Sequence, residues 1–351
     1  MNLKNNLNLP LDKFINFSLY DKNSGYYSKK TTFGKNGDFI TAPNISRLFS
    51  EMIAIWVLSF WKSLGCPKKF NLIELGAGNG EMIKVIGESF QNFPQLLKAC
   101  KLIIHERSPS LIKVQKKNLK NFNVSWISKI NKINKNPSIF IANEFFDSIA
   151  IKQFQKRNKI WFEKYVKISK NKKKNFFSEK KFNMQKFEKK INFKISKDQN
   201  FIEYSIMGVD YLKKISKIIK KNSGGMILID YGYHEKKMRN TLQGIYNHKF
   251  SNVLDNIGHS DITHNINFHL FEKIVKQTSG LTCNLTSQGS FLTKMGIKER
   301  AEIISNNQKF LKKTDIYFRL KRLIDDKEMG SLFKVMFIKN KRNKFNLGFL
   351  N

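Results

Sequence analysis

The sequence predicts an α/β fold: a mostly parallel sheet with helices on both faces, carrying inserted antiparallel and loop segments. Three observations predict it. Short apolar runs alternate with helical spacings along most of the 351 residues, the pattern of a doubly wound sheet. The run Asn71-Leu72-Ile73-Glu74-Leu75 leads directly into Gly76-Ala77-Gly78-Asn79-Gly80 and then a helix from Glu81. The next apolar run, Lys101-Leu102-Ile103-Ile104, ends at His105-Glu106, placing a carboxylate at a second strand tip.

In chain order, residues 1–30 are polar with scattered aromatics, and Gly25-Tyr26-Tyr27 reads as a turn. Gly34 to Pro43 is a loop by its glycine and proline content. Ser46 caps a helix whose apolar residues Phe49, Ile53, Trp56, Val57 and Phe60 recur at helical spacing. The glycine-loop strand follows, and its helix runs to Phe90. Pro109 opens a helix through Leu111, Val114 and Leu119. Asn123 to Ile127 is a short third strand, and Ser138-Ile139-Phe140-Ile141-Ala142 is a buried fourth. Between 151 and 204 the alternation of Ile160 to Val166 predicts an antiparallel meander, with Lys170 to Lys174 and Lys180-Lys181 in solvated loops. A helix near Gly208 to Ile219 and a fifth strand, Gly224 to Gly232, return to the core. A polar second insertion over 233–267 carries the glycine-bearing loop Asn256 to Asp261, and Leu332 to Ile338 is the last strand. The expected organisation is an N-terminal segment over 1–66 closing on a ligand, the first half of the core over 67–150, a lysine-rich meander over 151–204, and the second half over 205–351.

The formal net charge of +37 invites a nucleic-acid partner. Its make-up argues otherwise: eight arginines stand against 56 lysines, and arginine is the residue of phosphate forks and base edges. Abundant Asn, Ile, Phe and Lys together are what an AT-rich genome produces. Cys66, Cys100 and Cys283 form no C-x-x-C pair, and the six histidines show no ligand spacing, so neither disulfide nor metal is expected. His105 and His264 read as ordinary side chains. No run approaches the roughly 18–20 apolar residues of a membrane span. The first ten residues show neither a secretory nor an Arg-rich transit pattern, which makes a reducing cytoplasm the simplest expectation, or the mitochondrial matrix in a eukaryote.

The loop reads G-x-G-x-G, not the G-x-G-x-x-G of a dinucleotide site. Glu74, just before it, repels a phosphate and suits a cationic or neutral ligand bearing hydroxyls. Glu106 can accept two hydrogen bonds from a ribose diol. Together these residues look like the S-adenosyl-L-methionine site of a class I, Rossmann-like methyltransferase. The competing reading is a tight turn in another doubly wound domain.

Asn143, Glu144 and Asp147 follow the fourth strand, at the sheet edge where ligands bind. Two carboxylates around an aromatic pair suit a cationic methyl acceptor, and Glu144, where adenine methyltransferases carry proline, tilts the choice to a guanidinium. The alternative has Asp147 capping a helix and Glu144 paired with a lysine.

The chain resembles the MidA/NDUFAF7 family of protein arginine methyltransferases. The resemblance rests on Gly37-Asp38-Phe39-Ile40-Thr41-Ala42-Pro43, Glu74 to Gly80, His105-Glu106, Ala142 to Asp147, Ile229-Asp230-Tyr231-Gly232, His248-Lys249-Phe250, Ser260-Asp261-Ile262-Thr263, Gln288 to Leu292 and Met329 to Val335, in that order. Ala77 and Asn79 depart from the family's usual loop. The resemblance implies S-adenosyl-L-methionine as cofactor and an arginine-bearing protein substrate, a respiratory complex I subunit of the 49-kDa type. Glu74, Gly76, Ala77, Gly78, Gly80 and Glu106 would hold the donor, with Asp38 and Thr41 closing over it. Glu144, Asp147 and Asn143 would be catalytic, and Asp230 would assist. Two alternatives stay open: a nucleic-acid methyltransferase, supported by the charge, and a non-catalytic assembly factor that keeps the fold.

Overall fold

The computed structural model describes residues 7–28, 41–168, 175–247 and 249–349. Seven strands of the central sheet are numbered here in chain order: β1 (Phe70–Leu75), β2 (Cys100–His105), β3 (Val124–Ile127), β4 (Ser138–Asn143), β5 (Gly224–Tyr233), β6 (Leu281–Ser287) and β7 (Phe333–Asn340). They lie in the order β6-β7-β5-β4-β1-β2-β3, and the two-residue strand Ile266–Asn267 adds to the end of β5. Pairs from β5 across to β3 are parallel, whereas β7 runs antiparallel to both neighbours. The fold is thus the Rossmann-like one expected.

Strands β1 and β4 are buried at every position, because helices cover both faces of the sheet. On one face the helices Arg47–Ser63 and Glu81–Phe90 pack Trp56, Phe60 and Ile83 against Leu72, Ile139 and Phe337. On the other, Ile206–Asn222 and Phe268–Lys276 pack Leu212 and Phe271 against Phe140 and Leu228. The pairing of β1 with β4, Asn71 opposite Ser138 through Leu75 opposite Ala142, sets two strand tips side by side. From β1 the chain winds outward to β2, and from β4 outward to β5. That reversal opens a crevice at the carboxyl ends of the strands.

The N-terminal segment, expected as helix and loop, holds helix Leu11–Tyr20, which buries Leu11, Phe14, Ile15 and Leu19, preceded by a strand, Leu7–Pro10, that the sequence does not mark. Leu7–Pro10 pairs with Ile160–Ile168, so the N-terminal segment joins the sheet of the first insertion. Lys180 and Lys181 lie in strand Phe176–Phe182 and not in a loop. An antiparallel sheet with a solvated face accepts lysines within its strands, and Lys180 Nζ lies 4.6 Å from the Tyr165 ring centroid. Lys170 to Lys174 lie outside the described residues. The second insertion holds three short strands, Gln243–Tyr246, Lys249–Ser251 and Asp261–Thr263. Strand β6 went unread, because Thr282, Asn284 and Thr286 mark a half-buried sheet edge rather than an apolar run.

Candidate active site

A cavity of about 700 Å³ opens over the tips of β1, β2 and β4, within the range of ligand pockets. The glycine loop forms one wall. Gly76, Gly78 and Gly80 all take left-handed φ angles, +66°, +52° and +85°. Gly76 N–H donates to the His105 carbonyl at 3.0 Å, tying the loop to the tip of β2. A Cβ on Gly76 would sit 2.8 Å from Phe145 Cδ2, so the loop and the tip of β4 pack with no room for a side chain. Gly80 begins the helix Glu81–Phe90, which points its free N–H groups toward the loop.

Glu74 is 4% exposed, and its Oε2 has no hydrogen-bond partner among the described residues. Burial pushes its carboxyl up to about 8, and the nearby Glu106 adds to the rise. Glu106 accepts the backbone N–H groups of Arg107 and Ser108 at 2.7 and 2.8 Å through Oε1. Burial raises its carboxyl as well. Its second oxygen receives Gln115 Nε2 at 3.3 Å, and the same Nε2 reaches the Gly78 carbonyl at 2.9 Å. Trp126 Nε1 donates to Gln115 Oε1 at 2.9 Å. Fully buried Gln115 therefore joins the glycine loop to the acidic tip of β2, a role that its position in a polar helix, Pro109–Asn118, did not reveal.

The adjoining wall follows β4. Glu144 holds a left-handed φ of +50°, a conformation that costs a non-glycine residue on the order of 1–3 kcal/mol. Its Oε1 accepts Asn143 Nδ2 at 3.2 Å and the backbone N–H of Ala42 at 3.3 Å. Burial, then the charge of Asp147, lifts its carboxyl to about 8. Asp147 accepts the Tyr231 hydroxyl, while its Oδ1 has no partner among the described residues. Burial raises its carboxyl too, against the pull of Tyr231 and His264. Asp230 lies beneath, accepting the N–H groups of Phe146 and Asp147 at 3.1 and 3.3 Å and that of Tyr231 at 3.0 Å. It braces the turn after β4 from within.

Glu74, Gly76, Ala77, Gly78, Glu106, Thr41, Asn143, Glu144 and Asp147 thus line one cavity. Gly80 stands just behind it as a helix cap, and Asp38 lies outside the described residues. Among its described contacts Glu144 meets no lysine, and Asp147 caps no helix. Tyr20, Tyr27 and Asp261 line the same cavity, brought in by segments outside the core sheet. Of these, the sequence marked Asp261 only as part of a motif. Histidines come nearest to a ligand set in His234, His269 and Glu272, whose ligand atoms lie within 4.8 Å of one another. Glu272 there is already engaged by His234 at 3.0 Å and Lys276 at 2.5 Å.

Residues 52–286 match the model of a family of S-adenosyl-L-methionine-dependent methyltransferases. The chain belongs to that family. Its cofactor is S-adenosyl-L-methionine, and the residues present fit it: bare glycyl main chain at Gly76 and Gly78, with a buried Glu74 oxygen beside it that has no partner among the described residues. Curated relatives of the methyltransferase include the mitochondrial protein arginine methyltransferase NDUFAF7 of Xenopus tropicalis, 28% identical over 318 residues, covering 80% of this chain and 70% of that protein. The Homo sapiens protein of the same name is 27% identical over 343 residues, covering 88% and 75%. A crystal structure of a superfamily member from Burkholderia thailandensis bound to S-adenosyl-homocysteine shares the fold, with a TM-score of 0.77 at 21% identity, over 98% of this chain and 89% of that one. Among the described residues no helix is long and apolar enough to cross a membrane.

Proposed function

We propose that this methyltransferase modifies an arginine of a partner protein. One observation carries the reading: Glu144 and Asp147 face the same cavity as the glycine loop, and Asp147 Oδ1 is buried there with no partner among the described residues. The names of the curated relatives, protein arginine methyltransferases, support it. The partner we carry forward from the resemblance is a respiratory complex I subunit.

When bound, the cofactor supplies an electrophilic methyl on a positively charged sulfur. Gly76, Ala77 and Gly78 would hold it against main chain, Glu106 would accept its ribose hydroxyls, Glu74 would favour its charge, and Thr41 would cover it. Glu144 and Asp147 would grip the guanidinium and aim one nitrogen at the methyl, since reacting atoms must stand about 3–3.5 Å apart. A guanidinium keeps its proton in water, with a pKa above about 12. As the new N–C bond forms, the S–CH3 bond would break and leave neutral S-adenosyl-homocysteine; the nitrogen would shed a proton, and Glu144 would take it. A carboxyl lifted to about 8 has a basicity suited to general-base work near neutral pH.

The test uses labelled S-adenosyl-L-methionine, the purified protein and an extract of cells lacking its gene. Methylarginine in a protein, found by mass spectrometry, is the expected outcome; label confined to nucleic acid or to lysine overturns the reading. Glu144→Gln should retain S-adenosyl-homocysteine binding yet lose about 100-fold or more of turnover. Unchanged turnover removes Glu144 from the chemistry.

A further inference from the structure

We propose that the acceptor guanidinium sits in a composite subsite in which Asp261 joins Glu144 and Asp147, walled by the stacked rings of Tyr20 and Tyr27. This rests on the arginine reading above and names the residues that would select that substrate.

The subsite is assembled from three separate chain segments. Asp261 begins the strand Asp261–Thr263 of the second insertion and is 1% exposed, yet it lines the cavity. Tyr27 donates its hydroxyl to Asp261 Oδ1 at 3.1 Å. Tyr20 donates to the Ser148 carbonyl at 3.2 Å, next to Asp147. The two rings stack with centroids 5.3 Å apart and planes 27° from parallel. Each ring is thus fastened at its hydroxyl end, one to the insertion and one to the segment after β4. The Tyr27 carbonyl also receives the Ser108 and Ser110 hydroxyls at 3.5 Å, which ties the pair to the loop after Glu106.

Charge says what belongs there. Among the described residues, five carboxyl groups line the cavity against two cationic side chains, Lys22 and Arg107, in a protein whose overall charge is +37. An acidic cavity in so basic a chain is a local region of negative potential that draws cations in. Asp147 and Asp261 both lie close enough to Glu144 to disfavour its charge, and a neutral acceptor would leave that repulsion in place. An ammonium would relieve it with three donors on one point. A guanidinium offers five donors in a plane and stacks on aromatic faces, which matches carboxylates beside a tyrosine wall.

The experiment is calorimetric titration of the full chain, first with S-adenosyl-homocysteine, then with N-acetyl-arginine methylamide or its lysine counterpart. The wild type should bind the arginine probe about tenfold more tightly than the lysine probe, and Asp261→Asn should lose about tenfold of arginine affinity while changing S-adenosyl-homocysteine affinity less than about twofold. Tyr27→Phe, which removes only a hydroxyl, should weaken the arginine probe in the same direction. Equal binding of the two probes, or wild-type arginine affinity in Asp261→Asn, overturns the subsite alone. If S-adenosyl-homocysteine itself fails to bind, the cofactor site falls and the subsite with it.

Discussion

Glu74 and Glu144 face the cavity from neighbouring strand tips, and burial holds both carboxyls near 8. Each binds its proton more tightly folded than unfolded. The stability each contributes is therefore complete below the unfolded value of 4.5 and is lost as pH rises through about 8. The ligand-free protein should melt at falling temperature from about pH 5 to about pH 8, and Glu144→Gln should flatten that slope. A melting temperature that rises over the same interval would show both groups ionised in the fold. Gln115 makes a different demand. Gln115→Leu keeps the volume but strips Glu106 and the Gly78 carbonyl of a donor and leaves Trp126 Nε1 unmet. S-adenosyl-homocysteine affinity should fall about tenfold, or about 1.4 kcal/mol. Unaltered affinity would make Gln115 a packing residue only. Nothing local marks Gln115 as different from the neighbouring Lys116 and Lys117; only the alignment of β1, β2 and β3 gives it partners.

The glycine loop shows how far local chemistry can be read. A strand entering three closely spaced glycines and a helix admits few backbones, so Gly76, Gly78 and Gly80 were legible as the turn. That Gly76 is also pressed by Phe145 depends on the register of β1 and β4. Gly76→Ala combines a left-handed conformation with that clash and should lower the unfolding free energy by about 1–3 kcal/mol in urea titration. No loss would mean that the loop can shift away from Phe145. Strands β1, β2, β4 and β5 were legible for the same local reason, since burial on both faces writes them as apolar runs. Edge strand β6 and the lysine-bearing strand Phe176–Phe182 were not, because a sheet with one wet face accepts polar residues that a sequence alone reads as loop.

Across the molecule, a third apolar cluster joins the N-terminal helix to both insertions: Leu11, Phe14 and Leu19 pack with Ile151, Val166 and Ile262. This cluster packs against Tyr27 and includes Ile262, next to Asp261, so it supports the hydrogen-bonded Tyr27–Asp261 pair at the cavity. Phe14→Ala should cost about 3–5 kcal/mol by urea unfolding. It should also weaken the arginine probe more than S-adenosyl-homocysteine, whose proposed contacts lie on β1 and β2. Equal loss of both ligands would mean that the cluster supports the whole cavity and not its acceptor end. By itself the sequence determined the doubly wound core, the glycine turn and the acids at three strand tips, because strand period, turn chemistry and helix spacing act over a few residues. Only the tertiary structure decided that Gln115 bridges two strand tips and that Tyr20, Tyr27 and Asp261 meet Asp147. The tyrosines and Asp261 are brought together by packing between segments more than a hundred residues apart, and Gln115 by strands that only the sheet sets side by side, and no local pattern records either.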